Sequence, residues 1–205
     1  MSLESNAKAL EPYLPEGTAL QMAKWIDYFQ VELSINRPRE SVLGDYRHPH
    51  AGKTHRISVN RNLNPYAFLI TLIHEFAHLT NWNKHGNKVK PHGEEWKLEY
   101  KRLMMPFLEK GIFPELIDKA LRKYMQNPAA TSCTDVNLLR QLKQFDKHQH
   151  SIFVSAIPNG GIFQTKNGRK FQKLSLVRKR YRCKELSTGD VYLFSPIIEV
   201  YNVEA

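Results

Sequence analysis

Residues 69–96 read "LITLIHEFAHLTNWNKHGNKVKPHGEEW", a stretch with four histidines and three glutamates. Within it His74, Glu75 and His78 spell H-E-x-x-H. Two histidines four apart on a helix of 3.6 residues per turn project from one face, a turn apart, and can reach a single metal ion. Glu75, beside the first histidine, falls where a carboxylate meets a metal-bound water rather than the metal itself. Zinc brings the pKa of such a water down to about 7, and a carboxylate can then take its proton during attack on a carbonyl. The chemistry indicated is metal-assisted hydrolysis with Glu75 as general base.

A catalytic zinc needs a third protein ligand. The short metzincin spacing asks for glycine at position 81 and histidine at 84, where this chain has Asn81 and Lys84. His85 lies seven residues past His78, in a loop of Lys, Asn and Gly. His92 follows Pro91 at the expected start of the next helix and precedes Gly93, which permits close approach of two backbones. Glu94, Glu95 and Glu99 would suit a site of two histidines and one carboxylate. Glu94 and Glu95 equally suit the first turn of a helix, however, and Glu99 an ion pair with Lys or Arg. The reading adopted is His74, His78 and His92, with Glu95 or Glu99 as substitutes for the third. For polarising the substrate oxygen, Tyr46, His55, Tyr100 and Arg102 are polar candidates that spacing does not rank.

These residues need elements to position them. Residues 15–30 carry apolar side chains near helical spacing and read as an amphipathic helix. "VELSIN" (31–36) alternates as a half-buried strand does. A hairpin follows, with strands near 43–47 and at 55–60. Asn64-Pro65 opens the metal helix, since Asn caps well and proline suits the first helical position. That helix is expected to run to Trp82 or Asn83 with Leu69, Leu72, Ile73, Phe76 and Leu79 as its buried side. A second is expected from Pro91 to about Glu109 and a third from Pro114 to Met125. Residues 126–137 read as a linker, with a helical turn or two in "LLRQLKQFDKH". From Ser151 the pattern turns to strands: "SIFVSAI", "IFQT", "RKFQKLSLVRKRYRC" and "DVYLF", punctuated by Asn-Gly turns.

The 205 residues carry a net charge of +10. Residues 147–184 hold ten Lys+Arg and no acid, while the last 21 residues hold four acids and no Lys or Arg. Such a block favours a polyanionic partner, nucleic acid before membrane, because no lipid-facing amphipathic helix accompanies it. A solvated basic face is the plainer alternative. No apolar run approaches the ~20 residues of a membrane span, and the N-terminus has no pattern of a secretory leader. Cys133 and Cys183 form no paired motif, which fits a reducing cytoplasm.

"TLIHEFAHLTNW" followed by "PHGEEWK" resembles the SprT-like zinc metalloproteases, whose hallmark is H-E-x-x-H and then H-G-x-x-[W/F]. The likeness extends upstream through "GDYRHPHAGKTHRISVNRNL" and covers about residues 15–110. It implies zinc held by His74, His78 and His92, Glu75 as general base, Trp96 packed beside the metal helices, and a protein substrate. Eukaryotic members of the group act on proteins crosslinked to DNA, so the resemblance also implies DNA as a partner. The family commonly adds a C-terminal zinc ribbon with C-x-x-C pairs. Here Cys183 is followed by Leu186 where the second cysteine would stand, and four tetrahedral ligands cannot be assembled.

The expected fold class is therefore α+β. A zincin-like helical metalloprotease domain with a small antiparallel sheet spans 1–126, and a linker or helical connection spans 127–150. A basic β-rich module, ribbon-like but metal-free, spans 151–205. Its aromatics Phe153, Phe163, Phe171, Tyr181, Tyr192 and Phe194 read as core. Arg169, Lys170, Lys173, Arg178, Lys179, Arg180, Arg182 and Lys184 are the candidate phosphate contacts. A rival reading is a nucleic-acid-binding protein whose zinc is structural, though structural zinc sites are closed and this one keeps an open position. Hydrolysis of a non-peptide substrate is a third.

Overall fold

The computed structural model describes residues 2–39, 42–129, 135–146 and 151–204, so Cys133 lies outside the described residues. The chain divides into two compact units, Met1–Asp146 and Lys147–Ala205.

The first unit contains six helices among its described residues: α1 (Leu3–Leu10), α2 (Ala19–Tyr28), α3 (Pro65–His85), α4 (Glu94–Glu109), α5 (Glu115–Gln126) and α6 (Val136–Lys143). Three strands, β1 (Val31–Asn36), β2 (Gly44–Arg47) and β3 (His55–Asn60), form a sheet in the order β1-β3-β2. β1 runs parallel to β3, so this sheet is mixed rather than wholly antiparallel as expected. α1, which hydrophobic periodicity did not disclose, is capped by Ser2, whose side chain accepts from the Ser5 N–H.

α3 is the centre of this unit. Asn64 caps it by accepting from the Ala67 N–H at 3.0 Å, with Pro65 at its first position. The Asn64 amide also donates to the Leu142 carbonyl and to Asp146, each at 2.8 Å. The end of α6 thus anchors the start of the metal helix, and Leu138 and Leu142 join its core. The expected buried side of α3 is buried, but so are Phe68, Ile70 and Ala77. A helix apolar on most of its circumference must be wrapped by other elements. Here the sheet covers one side, and α2 another through Trp25 and Phe29 against Phe76. α4 packs through Trp96 and Tyr100.

Among its described residues, the second unit forms one six-stranded sheet with a 3-10 turn at Val154–Ala156. Its strands are β4 (Ile152–Phe153), β5 (Ile162–Gln164), β6 (Lys170–Val177), β7 (Arg180–Glu185), β8 (Val191–Phe194) and β9 (Glu199–Glu204), ordered β4-β9-β5-β6-β7-β8 with antiparallel pairing throughout. Val154, Ile157, Phe163, Phe171, Cys183, Phe194 and Val200 make its core. Two expectations change. "SIFVSAI" is strand only at its start, and Tyr192 sits on the rim, 37% exposed, beneath the Arg169 guanidinium. The closing strand β9 was not foreseen.

Candidate metal centre

α3 places His74 and His78 on one face, and their Nε2 atoms stand 3.3 Å apart. His92 arrives from the other side of the cleft. Gly93 N–H donates to the Lys90 carbonyl at 3.0 Å, closing a turn whose central residues are Pro91 and His92. His92 takes φ 59°, a left-handed conformation unusual outside Gly and Asn. α4 starts only at Glu94, so His92 belongs to this turn and not to the helix, contrary to expectation. Gly93 sits tightly inside the turn itself, where a Cβ would stand 3.0 Å from the Lys90 carbonyl oxygen and 3.1 Å from Glu95 Oε2. The close approach expected between helix backbones is not its purpose.

The turn carries His92 Nε2 to 3.4 Å from His74 Nε2. One ring nitrogen has either a single in-plane hydrogen or a single lone pair, so His74 Nε2 cannot serve both neighbours well as a hydrogen-bonding group. Nitrogens held at about 2.0–2.1 Å on one tetrahedral ion stand roughly 3.3–3.4 Å apart. The three histidines therefore fit a metal ion, and they are a group whose ligand atoms all converge within 4.8 Å.

Electrostatics agree. Burial, with repulsion from His78 and His92, drives the pKa of His74 well below the usual imidazole range. Burial and then His92 push His78 down to about 3, and burial lowers His92. All three rings are neutral at physiological pH and offer free lone pairs. Trp96, fully buried, places its ring 4.7 Å from those of His74 and His92 and 5.3 Å from that of His78. It walls the cluster from below, as a packing anchor.

Glu75, 6% exposed, points toward the sheet. Gly44, the first residue of β2, comes so close that a Cβ there would lie 2.5 Å from Glu75 Oε1 and 2.7 Å from Thr71 Cγ2. Burial pushes the Glu75 carboxyl up to about 8; Asp45 adds to this and Arg39 opposes it. β2 continues along α3. Two residues on, the Tyr46 ring lies parallel to that of His78 at 6.3 Å, and His48 beyond β2 stacks on Trp82 at 3.9 Å. The period of 2 in the strand matches the helix stripe Thr71, Glu75, His78 and Trp82.

The remaining candidates sort by their contacts. His85 ends α3 and is not in the cluster, nor are Glu94, Glu95 and Glu99. Glu99 is buried between Lys84 and Arg102, whose hydrogen bonds, with one from Thr80, outweigh burial and hold its pKa down. That same pairing occupies Arg102. Tyr100 donates from its hydroxyl to the Ile70 carbonyl at 3.3 Å. Tyr46 and His55 are joined to one another, the phenol oxygen 2.9 Å from His55 Nδ1.

In the second unit, three of the basic candidates are engaged inside the module. Lys173 is only 3% exposed; its ammonium donates to the Ile157 carbonyl and lies 3.8 Å from the Tyr181 ring centre, so it does not face a phosphate. Arg169 makes a two-pronged pair with Glu185, at 2.7 and 2.6 Å. Lys170 stands 3.6 Å from Glu204. Arg178, Lys179, Arg180, Arg182 and Lys184 are exposed along β7 and its hairpin turn. Phe171 is core, not a stacking platform.

Among the described residues, no helix is long and apolar enough to cross a membrane. No curated protein and no solved structure matches the chain. A family model does match, over the segment that holds α3, the Pro91–His92 turn and α4: residues 20–113 are similar to the SprT-like family.

Proposed function

We propose that the protein is a zinc-dependent endopeptidase that cleaves protein substrates bound to nucleic acid. The observation that carries this reading is the convergence of His74, His78 and His92 Nε2 within a SprT-like segment, with a buried carboxylate on the adjacent position of the same helix. His74, His78 and His92 would hold the ion. Zinc, when bound, supplies a Lewis acid for the scissile carbonyl and acidifies water. Glu75 takes the proton of the attacking water as the C–O bond forms, then delivers it to the amine nitrogen as the C–N bond breaks. A nearby divalent cation favours the ionised carboxylate, offsetting the burial that raises Glu75. Neutral His74, His78 and His92 keep their lone pairs directed into the cleft. Trp96 and Tyr100 exclude water from its floor.

Nucleic acid is the partner of the second unit in this reading. Arg178, Lys179, Arg180, Arg182 and Lys184 present a row of unburied cations suited to a phosphate backbone.

The test is Glu75→Gln. The variant should bind zinc one to one and cleave casein or a DNA-binding protein at least about 1,000-fold more slowly. Cleavage at the wild-type rate by this variant would reject Glu75 as the base. Running both proteins with and without single-stranded DNA tests the second unit: stimulation of the wild type alone links the units.

A further inference from the structure

We infer that the Tyr46 hydroxyl, set in place by His55, is the hydrogen-bond donor to the carbonyl oxygen of the scissile peptide; this deepens the peptidase reading and rests on it. Developing negative charge on that oxygen needs a preorganised donor besides the cation. Four residues of the first unit are polar candidates, and the structure separates them. Tyr100 is spent on the Ile70 carbonyl at 3.3 Å, in the core beneath the histidines. Arg102 is spent on Glu99 at 2.8 Å. Tyr46 and His55 are left, and they hydrogen-bond to each other at 2.9 Å.

Their place follows from register. β2 lays Gly44 against Glu75 and, with the strand's period of 2, Tyr46 against His78. The two rings are parallel to within 3°. Tyr46 therefore flanks one of the three metal-directed imidazoles. It is only partly buried. A phenol here is more than a packing ring, because its oxygen is held by a second residue instead of being left to solvent.

His55 opens β3, and its Nδ1 is hydrogen-bonded to the Tyr46 phenol oxygen. In the tautomer with hydrogen on Nδ1, His55 donates to the phenol oxygen and leaves the phenol's own hydrogen free for the substrate. His55 is thus a positioning residue, and Tyr46 is the group that touches the substrate.

The experiment compares kcat and KM on a protein substrate for the zinc-loaded wild type, Tyr46→Phe, His55→Ala and the double variant, with Glu75→Gln as the inactive control. Tyr46→Phe keeps the ring but removes the hydroxyl. It should retain one zinc per chain, lower kcat roughly 100- to 1,000-fold and leave KM within about twofold. His55→Ala should cost less, about 10-fold, and the double variant should be no slower than Tyr46→Phe, because the pair acts as a unit. Undiminished kcat in Tyr46→Phe overturns the assignment while the peptidase reading stands. So do a loss of zinc, a loss confined to KM, or additive effects, each of which would make the pair structural. A zinc-loaded wild type as inactive as Glu75→Gln refutes the peptidase reading, and this assignment with it.

Discussion

Gly44 and Glu75 are pressed together so tightly that a single methyl group on Gly44 would stand 2.5 Å from Glu75 Oε1 and 3.0 Å from its Cγ. Real Cβ atoms do not come so close to a neighbour, so something must give. The absence of a side chain at the head of β2 is what lets Glu75 lie between strand and helix.

Gly44→Ala is therefore expected to displace the Glu75 carboxylate while sparing the histidines, none of whose atoms is among those an added Cβ would meet first. Zinc stoichiometry should stay at one. Cleavage should fall by about 100-fold, the order expected when a reacting group is misplaced by an ångström. Metal analysis beside a rate measurement checks this; a variant with wild-type kcat would show that the carboxylate does not need its present position.

His92 and His85 make opposite predictions. His92→Ala removes a ligand and should weaken zinc binding at least about 100-fold, since even a group that merely orients a ligand costs roughly 10- to 100-fold. His85→Ala should change nothing. His92→Gly is the more informative variant, because glycine accepts φ 59° without strain and preserves the turn. It should lose zinc as completely as His92→Ala while melting no earlier. Titration with a competing chelator, alongside thermal melting, separates these outcomes.

The stability of the second unit should depend on Glu185. Hydrogen bonds from Arg169 hold its pKa down to about 2, against the opposing effect of burial and with smaller help from Thr188 and Ser187. A depressed folded-state pKa means that the unfolded chain takes up the proton first as pH falls. The stabilisation is thus complete above the ordinary carboxylate value of 4.5 and is lost progressively between there and about pH 2. The Glu185→Gln variant has no such carboxylate and should show a flatter melting profile over that range. Equal slopes for the two proteins would mean the pair contributes nothing to folding.

On the basic row, Arg182→Ala and Lys184→Ala should each weaken single-stranded DNA binding regardless of sequence and reduce the salt dependence of binding by about one charge. Lys173→Met should leave that salt slope untouched, because its ammonium is enclosed by Ile157 and Tyr181. Binding isotherms at three salt concentrations decide the matter. A slope that responds to Lys173 and ignores Arg182 would reverse the assignment.

What the amino-acid order determined by itself was local. H-E-x-x-H on a helix capped by Asn64 and Pro65 dictates that His74 and His78 share a face, because both features lie within one turn or one cap of the residues they control. Alternation at 31–36 and 55–60, and the apolar spacing of Leu69, Leu72, Ile73, Phe76 and Leu79, are periodicities of the same short range. The long-range arrangements were decided by packing. Pro91, His92 and Gly93 look like the beginning of a helix, but they form a turn in which the third histidine swings back toward α3. Lys173 reads as one more surface cation until its strand pairs with β7 and turns it into the core. Tyr46 and His55 lie nine residues apart with no pattern between them, and only the β2–β3 register joins them beside His78. Sequence specifies which side chains can reach one another along a single helix or strand; tertiary structure alone brings separate segments to a common point, because that distance depends on every core contact between them.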